Sequence, residues 1–298
     1  MKEANELSTQ STTNPRPSKS GVPGSNPGEP TKIKGVNADA VTPPPPETQG
    51  RETLNAGKTL ADTAAQVATV SPPKPYYEHA GITIYHGDCR EILPHLPKVD
   101  LVLTDPPYGM DYQSAWRTDK SKRLDKIAND ERPFIWWIYD AFRLTIDGGA
   151  LVCFCDWRNQ ETFRIAIETA GYDVRNHLIW DREVHGMGDL TGSFAPQHDI
   201  AWFAAKGDFK LPGSRPKSVM RYQRLGGDEL RHPNEKPVGL LQMLLRDLSH
   251  GGITVDPFMG SGTTIEAAKS LGIRAVGIEL DERYCEIAAR RLAQEVLW

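Results

Sequence analysis

Hydrophobic and polar positions divide this chain into two unlike parts. From residue 76 onward, short apolar runs alternate with stretches of helical spacing. Val99-Asp100-Leu101-Val102-Leu103-Thr104 is almost continuously apolar, which predicts a strand covered on both faces. The spacing next predicts a helix over 133–146, a strand over 149–155, a helix over 159–170, and strands over 173–180 and 200–205. Near the C-terminus, 254–256 reads as a strand, 257–264 as a glycine-rich turn, 265–272 as a helix and 275–279 as a strand, with a helix opening near Asp281. Such alternation predicts an α/β fold with a mostly parallel sheet and helices on both faces.

Residues 1–75 carry none of this periodicity. They contain no Phe, Trp or Tyr and hold 12 of the 23 prolines. Such a stretch buries too little apolar surface to offset the entropy of ordering, so it is predicted to be disordered. A tethering arm and a start codon placed too far upstream are the two open readings of it. Residues 76–298 are predicted to form one domain, large enough for its own core. The N-terminus lacks the apolar core of a signal peptide, and no run is long enough to span a bilayer. Four cysteines are scattered, and alternation puts Cys153 and Cys155 on one face of a strand. A lone C-x-C without a second pair is a poor metal site, so reduced core thiols, no metal and a cytoplasmic protein are expected. Trp136 and Trp137 are expected to pack within their helix.

The chemistry concentrates at strand ends. Asp105-Pro106-Pro107-Tyr108 follows the 99–104 run directly. Two prolines end strand pairing at once, because each lacks an N–H and has a fixed φ. A carboxylate and an aromatic are thereby placed in the crevice at the carboxyl end of a buried strand, where α/β sheets bind ligands. In the C-terminal unit, Gly260 and Gly262 form a turn after Asp256, and Glu279 ends the following strand in the window where an acid binds ribose hydroxyls. Ile265 stands where a dinucleotide fingerprint needs a third glycine, and no Lys follows Gly262, so neither a dinucleotide site nor a P-loop is supported. S-adenosylmethionine, with a ribose diol and no phosphate, is the remaining common ligand of such a unit.

These motifs together resemble the DNA amino-methyltransferases that act on N6 of adenine or N4 of cytosine, in the permuted class beta order with the target-amine motif first. Gly87-Asp88-Cys89 resembles the family motif whose Asp binds the cofactor adenine. His232-Pro233-Asn234-Glu235-Lys236-Pro237 resembles the motif that opens the helix beside the methionine moiety. The resemblance implies a Rossmann-like methyltransferase with S-adenosylmethionine as cofactor, held by Asp88, Cys89, His232, Lys236, Pro237, Asp256, Phe258, Gly260, Gly262, Thr263 and Glu279. Asp256 is expected near the methionine end and Phe258 beside the sulfonium. Asp105, Pro106, Pro107 and Tyr108 form the implied catalytic set: the Asp105 carboxylate and the Pro106 carbonyl accept from the target amine, and Tyr108 stacks on the base. In duplex DNA that base must be flipped out. D-P-P-Y favours adenine N6; cytosine N4 and a catalytically silent DNA-binding subunit are the alternatives. The resemblance also implies a restriction–modification setting in a bacterial cell or a phage-infected host, and it leaves a homodimer open.

Charge adjusts this picture only locally. The formal net charge is −4, so no global basic field announces a nucleic acid. Two segments are basic: 116–126, with Arg117, Lys120, Lys122 and Arg123, and 206–224, with Lys210, Arg215, Lys217, Arg221 and Arg224. The first leaves the D-P-P-Y strand, and the second falls in a small insertion at about 206–231 where the family reads its target. Both are expected to contact the phosphates of double-stranded DNA.

Overall fold

The central strand of the sheet is β3 (Val99–Thr104), whose six residues are all buried, as a continuous apolar run requires. The computed structural model describes residues 73–110, 130–185, 191–226 and 235–293. The proline-rich segment up to residue 72 lies outside them. On one side of β3 run β8 (Ile253–Asp256), β9 (Arg274–Glu279) and β2 (Ile82–His86), all parallel to it, with the short β1 (Tyr77–His79) antiparallel at the edge. On the other side lies β4 (Thr145–Cys155), parallel to β3. Beyond it β6 (His198–Ala205) and β5 (Asp173–Asp181) pair antiparallel, and β7 (Val219–Arg221) closes the sheet parallel to β5. The order is β1-β2-β9-β8-β3-β4-β6-β5-β7. Two reversals leave β5 and β7 pointing the same way as β3, so the carboxyl ends of β3 and β7 share one rim.

Alternation along β3 and β4 divides the core between the two faces. Leu101, Leu103, Val152 and Phe154 pack with α4 (Val238–Leu248), α5 (Thr263–Ser270) and α6 (Glu282–Ala293). Val102, Leu151, Cys153 and Cys155 face α1 (Cys89–Ile92), α2 (Ile138–Leu144) and α3 (Gln160–Ala170). Both thiols are free and fully buried on one face, as the strand alternation predicts. Among the described residues no helix is long and apolar enough to cross a membrane.

The helix predicted over 133–146 is shortened at both ends. Pro133 bridges to Tyr108, and the Phe134 amide donates to the Pro107 carbonyl at 3.2 Å, so the segment enters as a brace on the D-P-P-Y loop. At the other end the Thr145 hydroxyl donates to the Ala141 carbonyl at 2.8 Å, and the β-branched Thr145-Ile146 pair joins β4. Trp137 is fully buried and its indole N–H donates to the Phe134 carbonyl at 2.9 Å, whereas Trp136 stands exposed rather than packed. The insertion at 206–226 is not wholly irregular either, since it contributes β7.

Candidate active site

The turn after β3 presents its side chains because the backbone behind them is tied on every side. Asp130 accepts from the amides of Gly109 at 2.8 Å and Met110 at 3.3 Å, while the Asn159 side chain donates to the Tyr108 carbonyl at 2.8 Å. Sequence reasoning missed both residues. Asn159 reads only as the first residue of the helix predicted over 159–170, and nothing local marks Asp130. Within the turn, the Tyr108 hydroxyl donates to Oδ1 of Asp105, and Oδ2 of the same carboxylate is ion-paired with the ammonium of Lys236. Burial, and secondarily the Asp105 charge, hold the Tyr108 phenol well above its ordinary value, so it is a donor at neutral pH.

The adjacent wall is the β8–α5 unit. Asp256 ends β8 fully buried, accepting from the Thr104 hydroxyl at 2.7 Å and the Phe258 amide at 3.1 Å; burial nevertheless pushes its carboxyl up to about 6. Phe258 packs edge-on against Phe134 at 5.9 Å and Trp137 at 5.5 Å between ring centres. The turn that follows needs glycine: Gly262 has φ +85°, and a Cβ there would lie 2.7 Å from that of Ala288 on α6. Glu279, at the tip of β9, accepts from the Gly260 amide at 3.0 Å and the Asp281 amide at 2.8 Å, and burial raises its carboxyl above the usual range. Asp88 caps α1, accepting from the Arg90 amide at 2.9 Å and its guanidinium at 2.5 Å, which keeps its carboxyl low. Burial pushes the neighbouring Cys89 thiol up to about 12, so it offers no thiolate.

These residues line one cleft at the carboxyl ends of β2, β3, β8 and β9. The structure brings Asp105, Pro106, Pro107, Asp88, Cys89, Lys236, Asp256, Phe258, Gly260, Thr263 and Glu279 together along it; Tyr108, Gly262 and Pro237 are chain neighbours of these lining residues. His232 lies outside the described residues. Six carboxylates line the cleft: Asp105 is paired with Lys236, and Asp88, Glu235 and Asp281 with Arg90, Arg291 and Arg283, while Asp256 and Glu279 are buried acids held by hydroxyl and amide donors. A pyrophosphate would have to displace water against these acids. A cation bearing a ribose diol suits them, so the chemistry of the donor set fits S-adenosylmethionine. Among the described residues no His, Cys, Asp or Glu cluster is arranged to hold a metal ion.

The basic positions fall in different places. Arg117, Lys120, Lys122 and Arg123 lie outside the described residues. The second run is divided between the two ends of the sheet. Lys206, at the end of β6, donates at 2.8 Å to the Phe142 and Thr145 carbonyls, and Lys210 pairs with Asp208 at 2.6 Å. Because β6 runs opposite to β3, this places Lys210 at the end of the sheet away from Asp105. Arg215 and Lys217 are exposed on the approach to β7, and Arg221 and Arg224 are exposed where β7 reaches the rim that carries Asp105. Tyr222 seats that crossing, its hydroxyl so close to Gly239 on α4 that no Cβ fits there. Sequence reasoning also missed Trp157 and Arg158, which follow β4 onto the same rim, with Trp157 66% exposed.

Residues 99–290 match a family described as DNA methylase, of the N6/N4 type. The Escherichia coli (strain K12) protein YubD is 33% identical over 214 residues, covering 70% of this chain and 88% of YubD. The chain belongs to the N6/N4 DNA methylase family. The Type II methyltransferase M.ScaI of Streptomyces caespitosus is 27% identical over 273 residues, covering 74% of this chain and 84% of M.ScaI. The crystal structure of the M1.HpyAVI–SAM complex aligns with a TM-score of 0.55 at 26% identity, covering 70% of this chain and 99% of that one. The PvuII DNA methyltransferase, cytosine-N4-specific, shares the fold with a TM-score of 0.60 at 17% identity, covering 76% of this chain and 91% of its own. As a DNA methylase the chain has its D-P-P-Y loop and its acid-lined pocket opening into one cleft.

Proposed function

We propose that this chain transfers a methyl group from S-adenosylmethionine to the N6 amino group of adenine in double-stranded DNA, as the modifying partner of a restriction–modification system. The observation that carries the reading is the shared cleft: Asp105 and Pro106 line the same space as Asp256, Phe258 and Glu279. Glu279 would hold the ribose diol and Asp88 the adenine end, with Phe258 and Asp256 at the sulfonium. The cofactor supplies a methyl group on a sulfonium that becomes a neutral thioether when the methyl leaves.

The chain's own part is positional. An exocyclic amine is a poor nucleophile because its lone pair is delocalised into the ring. The Asp105 carboxylate and the Pro106 carbonyl each accept one of its N–H groups, which favours a pyramidal nitrogen with its lone pair free. After transfer Asp105 takes one proton from the methylated, cationic amine and passes it to solvent. Orientation of this kind supplies up to about 7–11 kcal/mol of barrier lowering. Flipping the base costs a few kcal/mol, part of which Tyr108 offsets by stacking, worth roughly 1–3 kcal/mol per base. Arg221, Arg224, Arg158 and Trp157 supply the duplex contacts on the rim.

The test is to incubate purified protein with unmethylated DNA and labelled S-adenosylmethionine, digest to nucleosides and identify the product by mass spectrometry. N6-methyladenine is the expected product; N4-methylcytosine would keep the mechanism and change the acceptor. An absence of any methylated nucleoside despite cofactor binding would overturn the reading. Asp105→Ala is expected to abolish methylation while leaving cofactor affinity within about threefold.

A further inference from the structure

Lys236 has a side chain only 8% exposed, and the family resemblance implies that it holds the cofactor. Its ammonium instead sits on Oδ2 of Asp105 and lies 3.3 Å from the Tyr108 hydroxyl, with the Phe154 ring centre 5.0 Å away. Both oxygens of the carboxylate are therefore engaged, Oδ1 by Tyr108 and Oδ2 by Lys236. The two partners differ in how they are held. Tyr108 belongs to the turn itself. Lys236 is fixed from both sides: the preceding Glu235, with a side chain 2% exposed, accepts from the Arg291 guanidinium at 2.8 Å, and the following Pro237 caps α4 through its carbonyl, which accepts from the Leu240 amide at 3.1 Å. Arg291 is ion-paired with Glu266 of α5 as well, so the lysine's backbone is tied to both helices that flank the cofactor turn.

We propose that Lys236 is a positioning residue for methyl transfer: it clamps Asp105 through Oδ2 so that Oδ1, capped here by the Tyr108 hydroxyl, is the oxygen presented to the target amine. This rests on the reading of Asp105 as the acceptor for that amine. When the base arrives, its N–H replaces the tyrosine hydroxyl on Oδ1 and frees the ring to stack, while the lysine stays in place. Removing Lys236 leaves a largely buried carboxylate without its cation. The side chain is then free to rotate, and a misplacement of about 1 Å costs on the order of 100-fold in rate.

The experiment measures kcat, the KM for DNA and the Kd for S-adenosylmethionine in Lys236→Met and Lys236→Arg, with folding checked by circular dichroism. Expected is a fall in kcat of about 100-fold in Lys236→Met, with cofactor Kd and DNA KM within about threefold of native, and partial recovery in Lys236→Arg, which keeps the charge. Should Lys236→Met fail to fold, the same split is read from Lys236→Gln. An unchanged kcat at saturating cofactor and DNA would overturn the proposal. So would a rate loss that follows a loss of cofactor affinity, because Lys236 would then be a cofactor ligand. Asp105→Ala measured in parallel separates the two levels: if it remains active the acceptor assignment itself fails, whereas if it is inactive and Lys236→Met is not, only the clamp fails.

Discussion

Asp256 carries a conflict that a single side chain can report. It is 2% exposed, and the hydrogen bonds it accepts from Thr264, Thr104 and the Phe258 amide do not outweigh the cost of burying its charge. Its folded pKa of about 6 therefore lies above the value of about 3.9 expected for an unfolded Asp. Between these values the folded chain binds the proton and the unfolded chain does not, so this group's contribution to stability falls as pH rises from about 4 to about 6 and stays low above that. A neutral isostere keeps the acceptor oxygen and removes the titration. Asp256→Asn is therefore expected to gain stability relative to native protein as pH rises from 4.5 to 7.5, by about 2 kcal/mol. Urea unfolding of both proteins without cofactor at the two pH values measures this, and a difference that does not change with pH would contradict it.

At the scale of elements, the cofactor turn depends on how closely α5 and α6 approach. Gly262 is left-handed and its missing Cβ makes room for Ala288. Gly262→Ala should destabilise the fold by about 1–3 kcal/mol through backbone strain, with the close contact adding to it. It should also weaken cofactor binding more than it lowers kcat at saturation, because it displaces the turn and leaves β3 intact; denaturant midpoints and a cofactor titration test both. This βαβ unit was legible in the sequence because each of its strands is a short apolar run and each turn is punctuated by glycine or proline. The same holds for β3 and its D-P-P-Y exit. The start of α2 was not legible, because Pro133 and Phe134 answer to the Tyr108 turn more than to their own helical spacing. Nor was β7, whose three residues sit among prolines and cations and become a strand only by pairing with Ile179–Asp181. The Lys236–Asp105 pair joins residues 131 positions apart, a distance at which local pattern carries no signal.

For the whole molecule the problem is binding a polyanion with a formal charge of −4 and six carboxylates in the cleft. Attraction must come from a few cations on the rim, and it must weaken as salt competes for the phosphates. Arg221 is paired with Asp181 at 3.6 Å, yet its side chain is 75% exposed. An ion pair in that setting is worth about 0–1 kcal/mol, so the arginine is free to turn to a phosphate. Arg224, three residues on, lies past the end of β7, is exposed, and follows the strand onto the same rim. Lys210 carries the same charge but sits at the opposite end of the sheet. Each phosphate contact contributes about 0.9 to the slope of log affinity against log salt for B-form DNA. Replacing Arg221 and Arg224 together by Ala should therefore flatten that slope by about 2, while Lys210→Ala should leave it unchanged. Fluorescence anisotropy with a labelled duplex at several salt concentrations distinguishes the two. An equal loss in both variants would mean that the duplex is held by the field of the whole chain, and that the direction in which β7 runs has nothing to do with DNA binding.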